Sequence, residues 1–217
     1  MRKHWSTATL GMALLASIAA TAQTPSPAVM PVNAPSLKVG DRWKYVYLDG
    51  LTKLEEGQRE EKVTAISPEA ILTEVKNAAG RETAPGRYDA QWNFLVDVGG
   101  QAGKEMRFSF PLEAGKTWEA TWPWMNSQGH VGRMEMTYKV RGGETVTARA
   151  GTFEAIVIEG RGHWYNTTRG SSGPAHEMLW YAPAAKRFVR RSWVTRFSGG
   201  QLDQNRITEA VEVDIKP

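Results

Sequence analysis

From Leu37 to the C-terminus, bulky and polar side chains alternate with a period of two, in runs separated by glycine-bearing links. Alternation at that period marks a half-buried β-strand, because successive side chains point to opposite faces of the pleat. Arg42–Leu48 sets Trp43, Tyr45 and Tyr47 against Arg42, Lys44 and Val46, and Asp49-Gly50 turns it. Residues 53–66 are densely charged and end in Val63-Thr64-Ala65-Ile66, which predicts an exposed or edge strand. Tyr88–Val98 places Trp92, Phe94, Val96 and Val98 on one face, and Met106, Phe108 and Phe110 alternate until Pro111 stops them. Trp118, Ala120, Trp122 and Trp124 keep the rhythm, and Pro123, which lacks a backbone N–H, marks an edge or a rim. In Val131–Arg141 the residues Met134, Met136, Tyr138 and Val140 oppose Arg133, Glu135, Thr137, Lys139 and Arg141, and Gly142-Gly143 is read as the closing turn. A hairpin around Gly151 joins Glu144–Ala150 to Phe153–Gly160. Gly162–Thr168 and Glu177–Tyr181 bracket a Ser/Gly loop, Phe188–Phe197 follows, and Arg206–Ile215 ends the chain.

Two places stay open. In residues 67–79, Ser67-Pro68-Glu69 has the form of a helix start, yet Ile71, Thr73 and Val75 alternate before the loop residues Asn77–Gly80. The flanking strands favour strand. In the last run Glu209 shares a face with Ile207, Val211, Val213 and Ile215, so either the strand begins outside the core or a bulge near Ala210 turns Glu209 away. The expected fold is all-β, with at most one or two short helices: a single curved antiparallel meander, a half-barrel or open barrel of about ten strands. Leu37-Lys-Val-Gly40-Asp-Arg-Trp43 and Leu112-Glu-Ala-Gly115-Lys-Thr-Trp118 share one pattern, as two related halves of one sheet would.

The N-terminus changes the picture of compartment. Arg2, Lys3 and His4 precede an uncharged apolar run, Leu10–Ala20, and Ala20-Thr21-Ala22 offers the small residues of a cleavage site. Residues 1–22 are therefore expected to be a secretory leader, cut after Ala22. Residues 23–36, with four prolines and no charge, are expected to be a disordered tether, and 37–217 a single β-rich domain. The chain has no cysteine, which closes the disulfide and lipobox routes and predicts a periplasmic or secreted protein that is not a lipoprotein. The formal charge of +4 falls to about +2 once Arg2 and Lys3 leave, which gives no reason to expect nucleic acid.

Chemistry-bearing motifs are few. His130, His163 and His176 show no metal-ligand spacing, no GxSxG elbow is present, and Ser171-Ser172 sits in a glycine-rich loop. No cofactor or metal is expected. The pairs Glu55-Glu56 and Glu60-Glu61 read as a solvated face. The unusual feature is nine tryptophans. Trp118, Trp122, Trp124, Trp164, Trp180 and Trp193 are candidate lining residues of an aromatic groove for an apolar ligand; the competing reading is that they fill the core. Arg187, Arg190, Arg191 and Arg196 are candidates for contact with an anionic surface; the competing reading is cross-strand pairing with Glu209, Glu212 or Asp214.

Three segments carry a resemblance: Val39-Gly-Asp-Arg-Trp-Lys-Tyr45, Ala150-Gly-Thr-Phe-Glu-Ala155, and Trp180-Tyr-Ala-Pro183 with Phe188-Val-Arg-Arg191. In that order they resemble a group of uncharacterised bacterial periplasmic proteins with a curved antiparallel sheet, itself similar to the LolA/LolB-like lipoprotein-carrier fold. The chain departs from that group at Ala184-Ala185-Lys186-Arg187, where a glycine turn is usual, and it offers no strong helix to plug the sheet. The resemblance implies carriage of lipid or lipoprotein and brings no catalytic residues. Three functions follow in order: a non-catalytic binding or carrier module for an apolar ligand or lipidated partner; a structural or interaction protein of the envelope; and a hydrolase in which His163, His176 and a carboxylate converge.

Overall fold

The computed structural model describes residues 30–216; the expected leader and the first half of the tether lie outside them. Twelve strands form one antiparallel sheet. They are β1 (Arg42–Asp49), β2 (Glu55–Ile66), β3 (Ile71–Asn77), β4 (Gly86–Tyr88), β5 (Phe94–Val98), β6 (Gln101–Glu105), β7 (Thr117–Met125), β8 (Val131–Ala148), β9 (Gly151–Asn166), β10 (Ser171–Ala182), β11 (Arg187–Arg196) and β12 (Leu202–Asp214). The order is β6-β5-β4-β3-β2-β1-β12-β11-β10-β9-β8-β7, so the first and last strands pair and the sheet's two edges fall mid-chain. Those edges meet in a seam. A Cβ on Gly103 of β6 would stand 2.3 Å from Cδ of Pro123 on β7. The Trp118 indole donates to the carbonyl of Met106 at 2.8 Å. The sheet is thereby a nearly closed barrel, and Pro123 occupies an edge strand, where its missing donor costs no ladder bond.

Each strand runs antiparallel to the next. Links after odd-numbered strands therefore gather at one end of the barrel, the mouth, and links after even-numbered strands at the other, the floor. The floor is packed. Phe108 and Leu112, on the link between β6 and β7, are buried, and Asn93 brackets the Phe108 backbone, accepting from its N–H at 2.8 Å and donating to its carbonyl at 3.0 Å. A single 3-10 turn, Pro183–Ala185, completes the floor, and the Ala185 carbonyl accepts from the Trp43 indole at 2.8 Å. Lys186, in the place where a glycine turn was expected, takes the left-handed conformation (φ 55°) and reaches Asp41 at 3.1 Å. Among the described residues no helix is long and apolar enough to cross a membrane.

Residues 71–77 are strand, as the flanking strands favoured, with Ser67–Ala70 forming a turn. Other sequence expectations change. The run Tyr88–Val98 is two strands around a turn in which Trp92 adopts φ 64°. Residues 106–110 alternate without being a strand: they are the floor plug, in which Phe108 and Phe110 stack on each other and meet Tyr181 edge-on. Gly142-Gly143 does not turn; β8 runs through it with a bulge between Val140 and Gly142. Gly160 and Gly162 likewise interrupt nothing. They make room for Tyr138 and Met136, to which a Cβ would come within 2.5 Å and 2.7 Å. Twelve strands thus replace the expected ten.

The expected tether is attached where it is described, since Val32 and Leu112 exchange backbone hydrogen bonds of 3.0 and 2.7 Å. The two copies of the repeated pattern are built alike. Gly40 (φ 96°) donates to Val63, which donates to Asp41; Gly115 (φ 84°) donates to Val140, which donates to Lys116, every bond at 2.9 Å. In β12, Lys44 pairs Glu212 while Tyr45 pairs Ala210, which leaves Val211 as a bulge. Glu209 turns away from the core and accepts from the Arg149 N–H at 2.8 Å. The long β8–β9 hairpin thereby docks its tip on β12, where Ala150 donates to Ala210 at 2.9 Å.

Candidate functional site: a two-chambered barrel interior

The barrel encloses two cavities that share Glu105, Arg107 and Arg191 as wall residues. The first, about 570 Å³, runs from the β3–β4 link at the mouth down to Trp92 and Phe108 at the floor. The second, about 630 Å³, opens between the β7–β8 and β9–β10 links and is walled by Trp122, Trp124, Trp164, Trp193, Phe197 and Met134. Both lie within the range typical of small-molecule sites.

Two buried carboxylates organise this interior. Glu61 on β2 shares the inward parity of Val63 and is fully buried. It accepts from Tyr88 at 2.6 Å and Thr73 at 2.8 Å, and it lies 2.8 Å from both Arg59 and Arg187. Burial alone would raise its pKa, but the two guanidinium groups and two hydroxyls outweigh that and hold it below the ordinary value. The same surroundings push Tyr88 up to about 12. Glu177 on β10 shares the inward parity of Leu179 and Tyr181 and is also fully buried. It accepts from Tyr138 at 2.7 Å and from Arg107 Nε at 3.0 Å, and Arg191 Nε binds the same carboxyl oxygen. Its burial is again outweighed, here by Arg191 and Arg107, so that it too stays ionised below the usual range.

Arg187 is enclosed by aromatic rings, with its guanidinium carbon between 4.7 and 5.6 Å from the centroids of Trp43, Tyr45, Tyr88, Trp92 and Phe188. Arg107 lies 5.8 Å over Trp122 and Arg191 lies 5.2 Å over Trp193. Such contacts fix each guanidinium plane and leave its in-plane N–H groups to other partners.

Of the expected lining residues, Trp122, Trp124, Trp164 and Trp193 wall the second chamber. Trp118 is buried against Tyr138 and walls neither cavity. Trp180 faces outward with His176 and Met178, near Glu144 and beneath Arg190. The basic strand is corrected more deeply. Arg187 and Arg191 are not surface cations; their shared parity points both into the barrel, onto Glu61 and Glu177. Arg190 remains outside, opposite Glu209, and Arg196 is exposed and donates to Gly200 at 3.1 Å. His176 pairs with Glu159 on the outer wall at 2.9 Å. Burial opposes ionisation of Glu159, but hydrogen bonds from Arg141, Arg161 and His176 prevail and bring it down to about 2. His163 stands across β8 from Glu135, facing away from the cavities.

Glu61, Glu177, Arg59 and Arg107 were missed by the sequence reading. Their signal was parity: each carboxylate occupies an inward position of its own strand's alternation.

No family model and no curated protein matches the chain. Solved structures do. A protein of Bacteroides fragilis described as exported and as having a YmcC-like fold aligns over 85% of this chain and 100% of its own, at 12% identity and a TM-score of 0.58. A protein of Parabacteroides distasonis described as a lipoprotein aligns over 86% and 100%, at 14% identity and a TM-score of 0.59. The hypothetical lipoprotein YmcC of Escherichia coli aligns over 81% and 84%, at 15% identity and a TM-score of 0.42. The first two share this chain's fold.

Proposed function

We propose that this chain is an exported, non-catalytic binding module of the bacterial envelope that holds an apolar ligand, or the acyl part of a lipidated partner, inside its barrel. The observation that carries the reading is the pair of adjoining chambers behind one mouth, one of them walled by four tryptophans. Desolvating an apolar chain against such rings is favourable at about 25 cal/mol per Å². The packed floor makes the interior a pouch, which suits holding a ligand and releasing it by the way it entered. The leader pattern supports export, as do the descriptions of the two solved relatives in fold.

The direct test is native mass spectrometry of protein recovered from the envelope fraction, joined to quenching of tryptophan emission by a bromine-labelled acyl chain. A bound mass and quenching that Trp122→Phe and Trp164→Phe reduce are expected. If neither a bound mass nor quenching is found, the pouch is only a core and the reading fails.

A second reading has one observation in its favour. Leu51 and Leu54 on the β1–β2 link and Met125 at the end of β7 are exposed at the mouth. An apolar rim suits an interaction protein that docks another envelope component there.

A further inference from the structure

We propose that the ligand carries an oxyanion head, a carboxylate or phosphate, which seats between Arg107 and Arg191 where the chambers meet, with its apolar body in the tryptophan chamber. This deepens the binding-module reading and rests on it.

The interior is short of acceptors. Among the described residues, Arg59, Arg107, Arg187 and Arg191 face three carboxylates, Glu61, Glu105 and Glu177. The buried polar atoms of this region that lack a hydrogen-bond partner are almost all donors: Arg59 Nε, Arg187 Nε and Nη1, and the indole nitrogens of Trp92 and Trp124. The exception, Glu61 Oε2, has two guanidinium nitrogens 2.8 Å away. Trp92 is 2% exposed and walls the first chamber; Trp124 walls the second. A buried donor without an acceptor costs about 1–3 kcal/mol, so an entering group that supplies acceptors gains more here than in water.

Position selects the junction. Arg187 is 5% exposed and closed in by five rings, which leaves it structural. Arg107 and Arg191 wall both chambers. Both are anchored through Nε on one oxygen of Glu177 and laid over tryptophans of the second chamber. Among the described residues, no acceptor is hydrogen-bonded to either terminal nitrogen of Arg191. Two guanidinium groups pinned side by side at the edge of an apolar chamber form a cradle for a planar or tetrahedral oxyanion, and charge-assisted hydrogen bonds are the strong kind. Arg107 and Arg191 face Glu105 and Glu177 there, two charges against two, so an oxyanion gains from the terminal N–H groups of Arg191 and not from a net positive field.

The test compares dodecanoate, dodecyl phosphate, dodecanol and inorganic phosphate as titrants of tryptophan emission, on the native chain and on Arg191→Gln. Dodecanoate or dodecyl phosphate is expected to bind about ten- to a hundredfold more tightly than dodecanol, the span of one charge-assisted hydrogen bond. Arg191→Gln is expected to shrink that ratio below about threefold. Equal binding of the acids and the alcohol overturns the oxyanion seat and leaves the binding module standing. Binding of inorganic phosphate as tight as that of dodecyl phosphate overturns the amphiphile and leaves a small-anion site. No binding of any of the four removes both readings. The contrast among ligands on the native chain needs no variant, so it decides the matter even where Arg191→Gln fails to fold.

Discussion

A carboxylate with no exposure must be held by its neighbours, and Glu61 is held by two hydroxyls and two guanidinium groups. Glu61→Gln leaves Arg59 and Arg187 without their anion and is expected to lower stability by about 3–5 kcal/mol in urea denaturation. Glu60→Gln, one residue away on the exposed face and 3.6 Å from Arg42, is expected to change it by no more than about 1 kcal/mol. The same chemistry sets an acid limit. Glu61, Glu177 and Glu159 bind protons less readily folded than unfolded. The stability they contribute is therefore whole above the ordinary glutamate value of about 4.5 and is lost as the pH falls from there towards their folded values. Urea midpoints should stay level from pH 7 down to about 5 and then decline, with a shallower decline in Glu159→Gln. These residues were hidden in the sequence because a charge within an alternating strand reads as solvated by default. Glu60-Glu61 looks like a pair, yet the pleat sends one to water and the other inward. The tryptophans were easier, since a large ring at an inward position has few other uses. Trp180 misled because Tyr181 beside it took the inward place.

Among the elements, glycines account for strand bounds that differ from those the alternation predicts. A glycine that turns the chain and one that admits a neighbour look identical in a string of letters. Gly142-Gly143 and the Gly160/Gly162 pair were taken as breaks, yet β8 continues through its pair with a bulge and β9 through its own. Gly160→Ala pushes a methyl into the Tyr138 ring and is expected to cost about 1–3 kcal/mol of stability. Gly162→Ala meets the Glu135 carbonyl at 1.9 Å, which a side-chain rotation cannot relieve, and should cost more. Gly199→Ala, in open space, should stay within about 0.5 kcal/mol, and thermal denaturation of the three variants reads the ranking. The rhythm of Met134, Met136, Tyr138 and Val140 was legible because a strand covered on one face writes its period directly. Residues 106–110 wrote the same period without being a strand: of them only Phe108 is buried, and Phe108 and Phe110 pack on Tyr181 in the floor plug.

For the molecule as a whole, the barrel depends on its seam. Gly103→Val would drive a branched side chain into Pro123 and separate β6 from β7. The expected result is a lower unfolding temperature with faster amide exchange in both edge strands; unchanged exchange there would mean that the seam does not need the close approach. The pairing of β1 with β12 has a different consequence. It is the long-range ladder of the barrel, pairing Arg42 with Asp214 and Lys44 with Glu212, whereas every other ladder links consecutive strands. A polypeptide synthesised from its N-terminus delivers β1 early and β12 at the very end. Throughout that delay one margin of β1 offers a row of unmatched amides and carbonyls to any neighbouring strand, including the same strand of another emerging copy. Slow or stalled synthesis prolongs the delay, so the pace at which the chain emerges, as well as the energy of the finished barrel, bears on how much of it pairs wrongly.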